Sequence, residues 1–183
     1  MCMLEMEGKF QVRKVHTAGV PLTRNDKYMN VELTSLEKNE EFRTLKQLLR
    51  LLFFIPFEIN KKVSLNLQVS EAFELSFMDH DHTFVNRRAE STFGQHDTGV
   101  KLTIVFGISS KNDGPTLKLY KQSQVPETQP IEEVKLNQNT LVLFNSRAFE
   151  YEVTDVTSKS VFVMSQVPGP ACPPEIAGAP FQV

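Results

Sequence analysis

The stretch Val100-Lys-Leu-Thr-Ile-Val-Phe106, followed by the turn residues Asn112-Asp-Gly-Pro115 and the run Leu117-Lys-Leu119, decides the fold. Val100, Leu102, Ile104 and Phe106 recur at every second position, which puts them on one face of a strand. A turn of Asn, Asp, Gly and Pro, not a helix, separates this run from the next. The pattern repeats on both sides. Val63, Leu65, Leu67 and Val69 alternate with polar residues, as do Phe73, Leu75 and Phe77. Val134 with Leu136, Leu141 with Leu143, Tyr151 with Val153 and Val161 with Val163 continue it, with Asn137-Gln-Asn139 and Asn145-Ser146 as further turns. Short strands in succession, without helices between them, specify a sandwich or barrel rather than a parallel α/β sheet.

Before Pro56 the period is different. Phe42, Leu45, Leu48, Leu49, Leu52 and Phe53 form one stripe of a 3.6-residue period, which predicts an amphipathic helix from Glu40 to Phe54. Asn39 is placed to cap it, Glu40 and Glu41 suit the positive end of its dipole, and Pro56 is expected to limit it. Lys9 to Val15 reads as a short strand and Pro21 to Asn30 as polar loop. The chain is then one domain: residues 1–62 give a strand and a helix packed on a sheet, and residues 63–167 give the β core. Residues 168–183 form a Pro-rich tail that holds five of the ten prolines. The expected fold is mostly β with an N-terminal helix, its strands wound as a double-stranded β-helix (jelly roll).

A chain of 183 residues buries one good core, and a hydrophobic fraction of 40% with 23% charged residues is ordinary for a globular protein. Fourteen Phe and no Trp predict a core packed with phenyl rings. A net charge of −2 gives no electrostatic case for nucleic acid or an acidic membrane surface. Two cysteines, Cys2 and Cys172, are too few for a disulfide framework, which favours a reducing compartment. The first residues contain no apolar stretch of signal-peptide length, and the apolar run Leu48 to Phe57 is broken by Arg50 and Pro56. A cytoplasmic or nuclear location is expected. Gly-rich phosphate loops, a Gly-x-Ser-x-Gly elbow and a Cys-x-x-Cys pair are all absent from the sequence.

Three of the four histidines lie close together, His80 and His82 in Asp79-His-Asp-His82, and His96 beside Asp97. A His-x-His pair at a strand end puts both imidazoles on one face, and two imidazoles with a carboxylate are what a divalent iron or zinc site needs. A solvated polar loop is the alternative for the same residues. A cupin-type ligand set would need a glutamate four or five residues after His82, where Asn86 and Arg87 stand; Glu90 is too far on. Arg87-Arg88 reads as a solvated basic pair.

The order of elements adds a resemblance. Ala72-Phe-Glu-Leu-Ser-Phe-Met-Asp-His-Asp-His82 is followed by the Leu-Thr-rich run Val100–Phe106 and by Asp113-Gly-Pro-Thr-Leu-Lys-Leu-Tyr120. Thr140-Leu-Val-Leu-Phe-Asn145, Glu150-Tyr-Glu-Val-Thr-Asp-Val156 and Lys159-Ser-Val-Phe-Val-Met164 come next. This succession, from about Ser70 to Gln166, resembles the prolyl-hydroxylase branch of the iron- and 2-oxoglutarate-dependent oxygenases. In that family a strand ends at a His-x-Asp metal motif, and a Leu-Thr-rich strand comes after it. A His-Glu-Val segment then supplies a distal histidine, and a basic residue on the last strand pairs with 2-oxoglutarate. The resemblance implies a jelly roll, with Fe(II) and 2-oxoglutarate as cofactors if the chain is active. Position by position it implies His80 and His82 at the first two metal positions, with His82 where the family has Asp, and Tyr151 at that of the distal histidine. Lys159 falls near the 2-oxoglutarate-binding basic residue, and Tyr120 matches a position that often faces the co-substrate or else is an outward aromatic.

The departure from the family is specific. No histidine occurs after His96, so the distal ligand is missing as such, and only Glu150, Tyr151 or Glu152 stand near enough to replace it. Three readings are open: a non-catalytic relative that binds a protein partner, an active protein hydroxylase with a substituted third ligand, and an unrelated jelly-roll interaction module. The first is the expectation.

Overall fold

In β3 (Ala72–Met78) and β5 (Val100–Ser109) the alternation is realised as a two-faced strand. Phe73, Leu75, Phe77 and Ile104 face one core, and Met78 and Val105 face another. The protein is seen here as a computed structural model that describes residues 10–15, 24–38, 42–79, 84–90, 99–109, 114–123, 128–154 and 156–170. The other elements are β1 (Gln11–Val15), β2 (Arg24–Glu32), a 3-10 turn (Leu33–Lys38), helix α1 (Arg43–Lys62), β4 (Phe84–Arg88) and β6 (Thr116–Lys121). They continue with β7 (Glu132–Lys135), β8 (Leu141–Asn145), β9 (Phe149–Thr154) and β10 (Ser160–Pro168).

All pairings are antiparallel, in the order β7-β6-β9-β4-β2-β3-β10-β5-β8, with β1 on β2. The sheet folds over so that its two halves face each other across an inner core. Val85 of β4, Leu117 and Leu119 of β6, and Tyr151 and Val153 of β9 share an inner core with Met78, Val105, Phe144 of β8, and Phe162 and Met164 of β10. Chain neighbours therefore cross from one half to the other (β3 to β4, β5 to β6, β9 to β10), which is the winding of a double-stranded β-helix. Among the described residues no helix is long and apolar enough to cross a membrane.

Helix α1 covers the outer face of the β3, β10 and β5 half. Its buried positions are Leu45, Leu49, Leu52 and Pro56, and Phe42 just before it is buried too. The helix runs six residues beyond the expected limit at Pro56. The reason lies in the stripe itself: Pro56 falls on the buried face, and Ile59 carries the same stripe one turn further. Packing of that face outweighs the lost backbone hydrogen bond, which proline costs by removing its N–H. The first helical residue is Arg43, Phe42 stands at the cap position without a side-chain cap, and residues 39–41 lie outside the described set.

Two other expectations change. The alternating run Val63–Val69 forms no strand. Asn66 adopts a left-handed backbone (φ 51°), which breaks the extended path, and the Asn60 side chain holds both the N–H and the C=O of Leu67 at 2.9 and 2.7 Å. The segment is thus pinned to the end of α1, with Leu67 buried and Val63, Leu65 and Val69 exposed. Within Pro21–Asn30, read as loop, residues from Arg24 on form a strand paired along β3 from Lys27↔Phe77 to Glu32↔Ala72. Val31 and Met29 reach the helix-side core and Lys27 lies over the Phe77 ring, so one face is apolar although the composition is polar.

Gly107 marks the tightest approach of β5 to the β7–β8 turn. Its N–H donates to the Thr140 carbonyl and its own carbonyl accepts from Asn139 N–H, both at 2.9 Å. A Cβ there would stand 2.2 Å from the Asn137 carbonyl oxygen, which is backbone and cannot swing away. Gly107→Ala is expected to lower unfolding free energy by about 1–3 kcal/mol. Urea denaturation reads the loss; an unchanged midpoint contradicts it.

Candidate functional site

Tyr151 lies in the middle of β9 with its side chain wholly buried in the inner core, its ring centroid 5.6 Å from that of Phe144. Its hydroxyl donates to Glu90 Oε1 at 2.5 Å and lies 3.5 Å from Met164 Sδ. Glu90 stands two residues after the end of β4, and its side chain is only 6% exposed. A buried carboxylate requires donors, and Glu90 has them from three strands. Gln166 Nε2 of β10 donates to Oε2 at 2.6 Å, and Arg88, the last residue of β4, reaches Oε2 through Nη2 and Oε1 through Nε, each at 3.2 Å. Arg88 stands opposite Tyr151 in the β4–β9 register, so both reach the carboxylate from adjacent strands.

Beside this cluster a cleft of about 470 Å³ opens at one end of the jelly roll. Asn30, Glu32, Ser70, Glu74, Arg88 and Gln166 form its polar wall, and Met164, which touches Tyr151, lies against it too. Arg88, Met164 and Gln166 therefore belong both to the cleft and to the surroundings of Tyr151.

The residues singled out from the sequence separate. His80 and His82, with His96, lie outside the described residues. Tyr120 is on β6, whose register pairs Leu119 with Tyr151 and Tyr120 with Glu150, so Tyr120 and Tyr151 occupy opposite faces of that half. Tyr120 donates to Glu152 Oε1 at 2.6 Å, and the Arg87 guanidinium lies 4.0 Å above its ring. Lys159 Nζ is 4.0 Å from Asp79 Oδ2 and lies over Phe77, a member of the helix-side core rather than the core around Tyr151. Arg87 and Arg88 are not a solvated loop pair: both are on β4, Arg87 is paired with Glu150, and Arg88 with Glu90. The joining of Glu90 to Tyr151 and Gln166 carried no signal in the sequence, because they meet across 61 and 76 residues of chain.

The Tyr120 phenol has its pKa pushed up to about 12 by its burial and by the hydrogen bond it gives to the Glu152 carboxylate, while Arg87 pulls the other way. An unfolded tyrosine titrates near 10. The folded value is the higher one, so the stability contributed by the protonated phenol is complete below about pH 10 and is lost as the pH rises toward 12. Ultraviolet titration is expected to show a tyrosinate step near 12 that moves down in Glu152→Gln. A folded wild type with no step there contradicts the assignment.

No protein-family model matches this sequence, and no curated protein does. Solved structures do match. The fold is similar to a prolyl 4-hydroxylase of Pseudomonas putida, with TM-score 0.67 and 15% identity over 90% of this chain and 79% of that one. It is similar to a prolyl hydroxylase of Trichoplax adhaerens in complex with a peptide fragment of the hypoxia-inducible factor oxygen degradation domain, with TM-score 0.66 and 15% identity over 92% and 73%. A third is an oxidoreductase of the 2OG-Fe(II) oxygenase family from Burkholderia pseudomallei, with TM-score 0.55 and 10% identity over 91% and 76%. At such identities the likeness is one of architecture. The chain has the jelly-roll fold of the prolyl hydroxylases and 2-oxoglutarate oxygenases.

Proposed function

We propose that this chain is a non-catalytic relative of the iron/2-oxoglutarate oxygenases, which uses the mouth of its jelly roll to bind a segment of a protein partner. One observation carries the reading: Tyr151, which the resemblance puts at the family's distal histidine, is wholly buried and its hydroxyl is engaged by Glu90. The donor set around it supports the same conclusion. A phenol, a carboxylate, an amide and a guanidinium meet there. Iron in this role takes imidazole nitrogen and carboxylate oxygen, and an arginine held on the same carboxylate opposes any divalent ion. The described residues at Tyr151 are not the donor set that the resemblance implies for the metal; His80 and His82 lie outside the described residues.

The cleft beside the cluster supports a binding role, since it is open, polar-walled and large enough for one or two side chains of a partner. The Trichoplax adhaerens neighbour holds a peptide, which supports a protein segment as the class of partner. The low cysteine content supports a reducing compartment, the cytoplasm or the nucleus.

Anaerobic titration with Mn(II) or Fe(II), with and without 2-oxoglutarate, tests the proposal on wild type and on the double variant His80→Ala, His82→Ala. The expected result is no saturable binding below millimolar metal and no effect of 2-oxoglutarate. Tight binding that 2-oxoglutarate strengthens and the variant loses would establish the other reading, an active hydroxylase with a substituted third ligand.

A further inference from the structure

We infer that Arg88 supplies to Glu90 the positive charge that an oxygenase of this fold takes from its metal ion, so that the mouth of the jelly roll is cross-linked without metal. The inference rests on the non-catalytic reading and gives it a physical cause. An ionised carboxylate offers about four acceptor positions. Oε1 accepts from the Tyr151 hydroxyl, Oε2 accepts from Gln166 Nε2 and Arg88 Nη2, and Arg88 Nε stands 3.2 Å from Oε1 as an ion-pair contact. Arg88 thus meets both carboxylate oxygens, Oε2 by a charge-assisted hydrogen bond and Oε1 by an ion-pair contact.

The cluster does the mechanical work of a metal centre. A metal ion joins strands by drawing ligands from each of them. Here Glu90 joins the end of β4 to Tyr151 of β9 and Gln166 of β10. That joint spans the two halves of the jelly roll, because β4 and β9 belong to one and β10 to the other. A divalent ion arriving at Glu90 would have to compete with these donors, and would stand against a guanidinium 3.2 Å from both oxygens. Arg88 and Glu90 are positioning residues in this account; they hold the cleft wall, to which Arg88 and Gln166 both contribute.

Thermal denaturation of metal-stripped protein, before and after addition of Mn(II) alone, tests the inference on wild type, Arg88→Met, Glu90→Gln and the double variant. Mn(II) is expected to leave the wild-type Tm unchanged. Each single variant is expected to lose roughly 5 °C, and the double variant less than the sum of the two, because the charges leave together. A Mn(II)-dependent rise in the wild-type Tm that Glu90→Gln abolishes overturns the inference, as do single-variant losses that simply add. If the single variants fail to fold, wild type and His80→Ala, His82→Ala decide together: a Mn(II)-dependent rise that persists in the histidine variant overturns the inference, and no rise in either upholds it. A Mn(II) response that survives Glu90→Gln but disappears in His80→Ala, His82→Ala defeats the non-catalytic reading while the Arg88–Glu90 assignment stands.

Discussion

Tyr151→Ala is expected to lower the unfolding free energy by about 3–5 kcal/mol, and Tyr151→Phe by about 1–3 kcal/mol. The first figure comes from the place of the ring. Tyr151 is among the largest fully buried side chains, packed with Phe144, Val153, Phe162 and Met164 where the two halves of the jelly roll meet. Deleting it leaves a cavity that strands fixed on both sides cannot close. The second figure isolates the hydroxyl. Phenylalanine keeps the volume but withdraws a donor from Glu90, a carboxylate that is nearly without solvent to replace it. Chemical denaturation reads both. Equal losses for the two variants would mean that the hydroxyl, not the ring, dominates; no loss in Tyr151→Phe would mean that Glu90 does not depend on it.

Leu49→Ala is expected to cost about 2–5 kcal/mol, whereas Leu51→Ala on the same helix is expected to stay within about 0.5 kcal/mol of wild type. Leu49 is 0% exposed and belongs with Phe73, Leu75 and Val163 to the core that joins α1 to β3 and β10. Leu51 is 69% exposed on the opposite side. The contrast separates the contribution of the packed stripe from helix propensity, because both substitutions are leucine to alanine in one helix. Comparable losses at the two positions would show that the outer face of α1 is also covered in solution.

Much of this fold is legible in the sequence because its strands declare themselves by alternation. β3, β5 and β10 each bury one apolar set against α1, and that set is the alternation the sequence marks; Met78, Val105, Phe162 and Met164, on the other face, are not marked by it. β2 and β4 are not legible, for a physical reason. Asn30 and Glu32 of β2 and Arg88 of β4 face the cleft, so their polar side chains are as well placed as apolar ones would be in the core. Val63–Val69 shows the converse error: alternation is present, but the backbone turn at Asn66 and the grip of Asn60 on Leu67 decide the conformation. Pro56 misleads in a similar way, since a proline on the packed stripe is held by tertiary contacts that local rules do not see.

Of the candidate site, Tyr151 is reached through the resemblance, whereas the spacing of Glu90 from His82 argues against it as a ligand. The importance of Glu90 comes from convergence. β4 pairs with β9 across Arg88↔Tyr151, and β10 brings Gln166 from the other half, a meeting that no local pattern records. The family pattern places its metal motif at the end of the strand before the Leu-Thr-rich one. In this chain the resemblance puts that motif at His80 and His82, which follow β3 and lie outside the described residues, whereas Glu90 stands past the end of β4.

The central claim is that the jelly roll binds without catalysing. The most direct measurement is the consumption of 2-oxoglutarate and oxygen by the wild-type chain supplied with Fe(II) and a reductant, beside the His80→Ala, His82→Ala variant. Equal, background rates for the two are predicted. Consumption by the wild type well above that of the variant would contradict the account and make this chain an oxygenase.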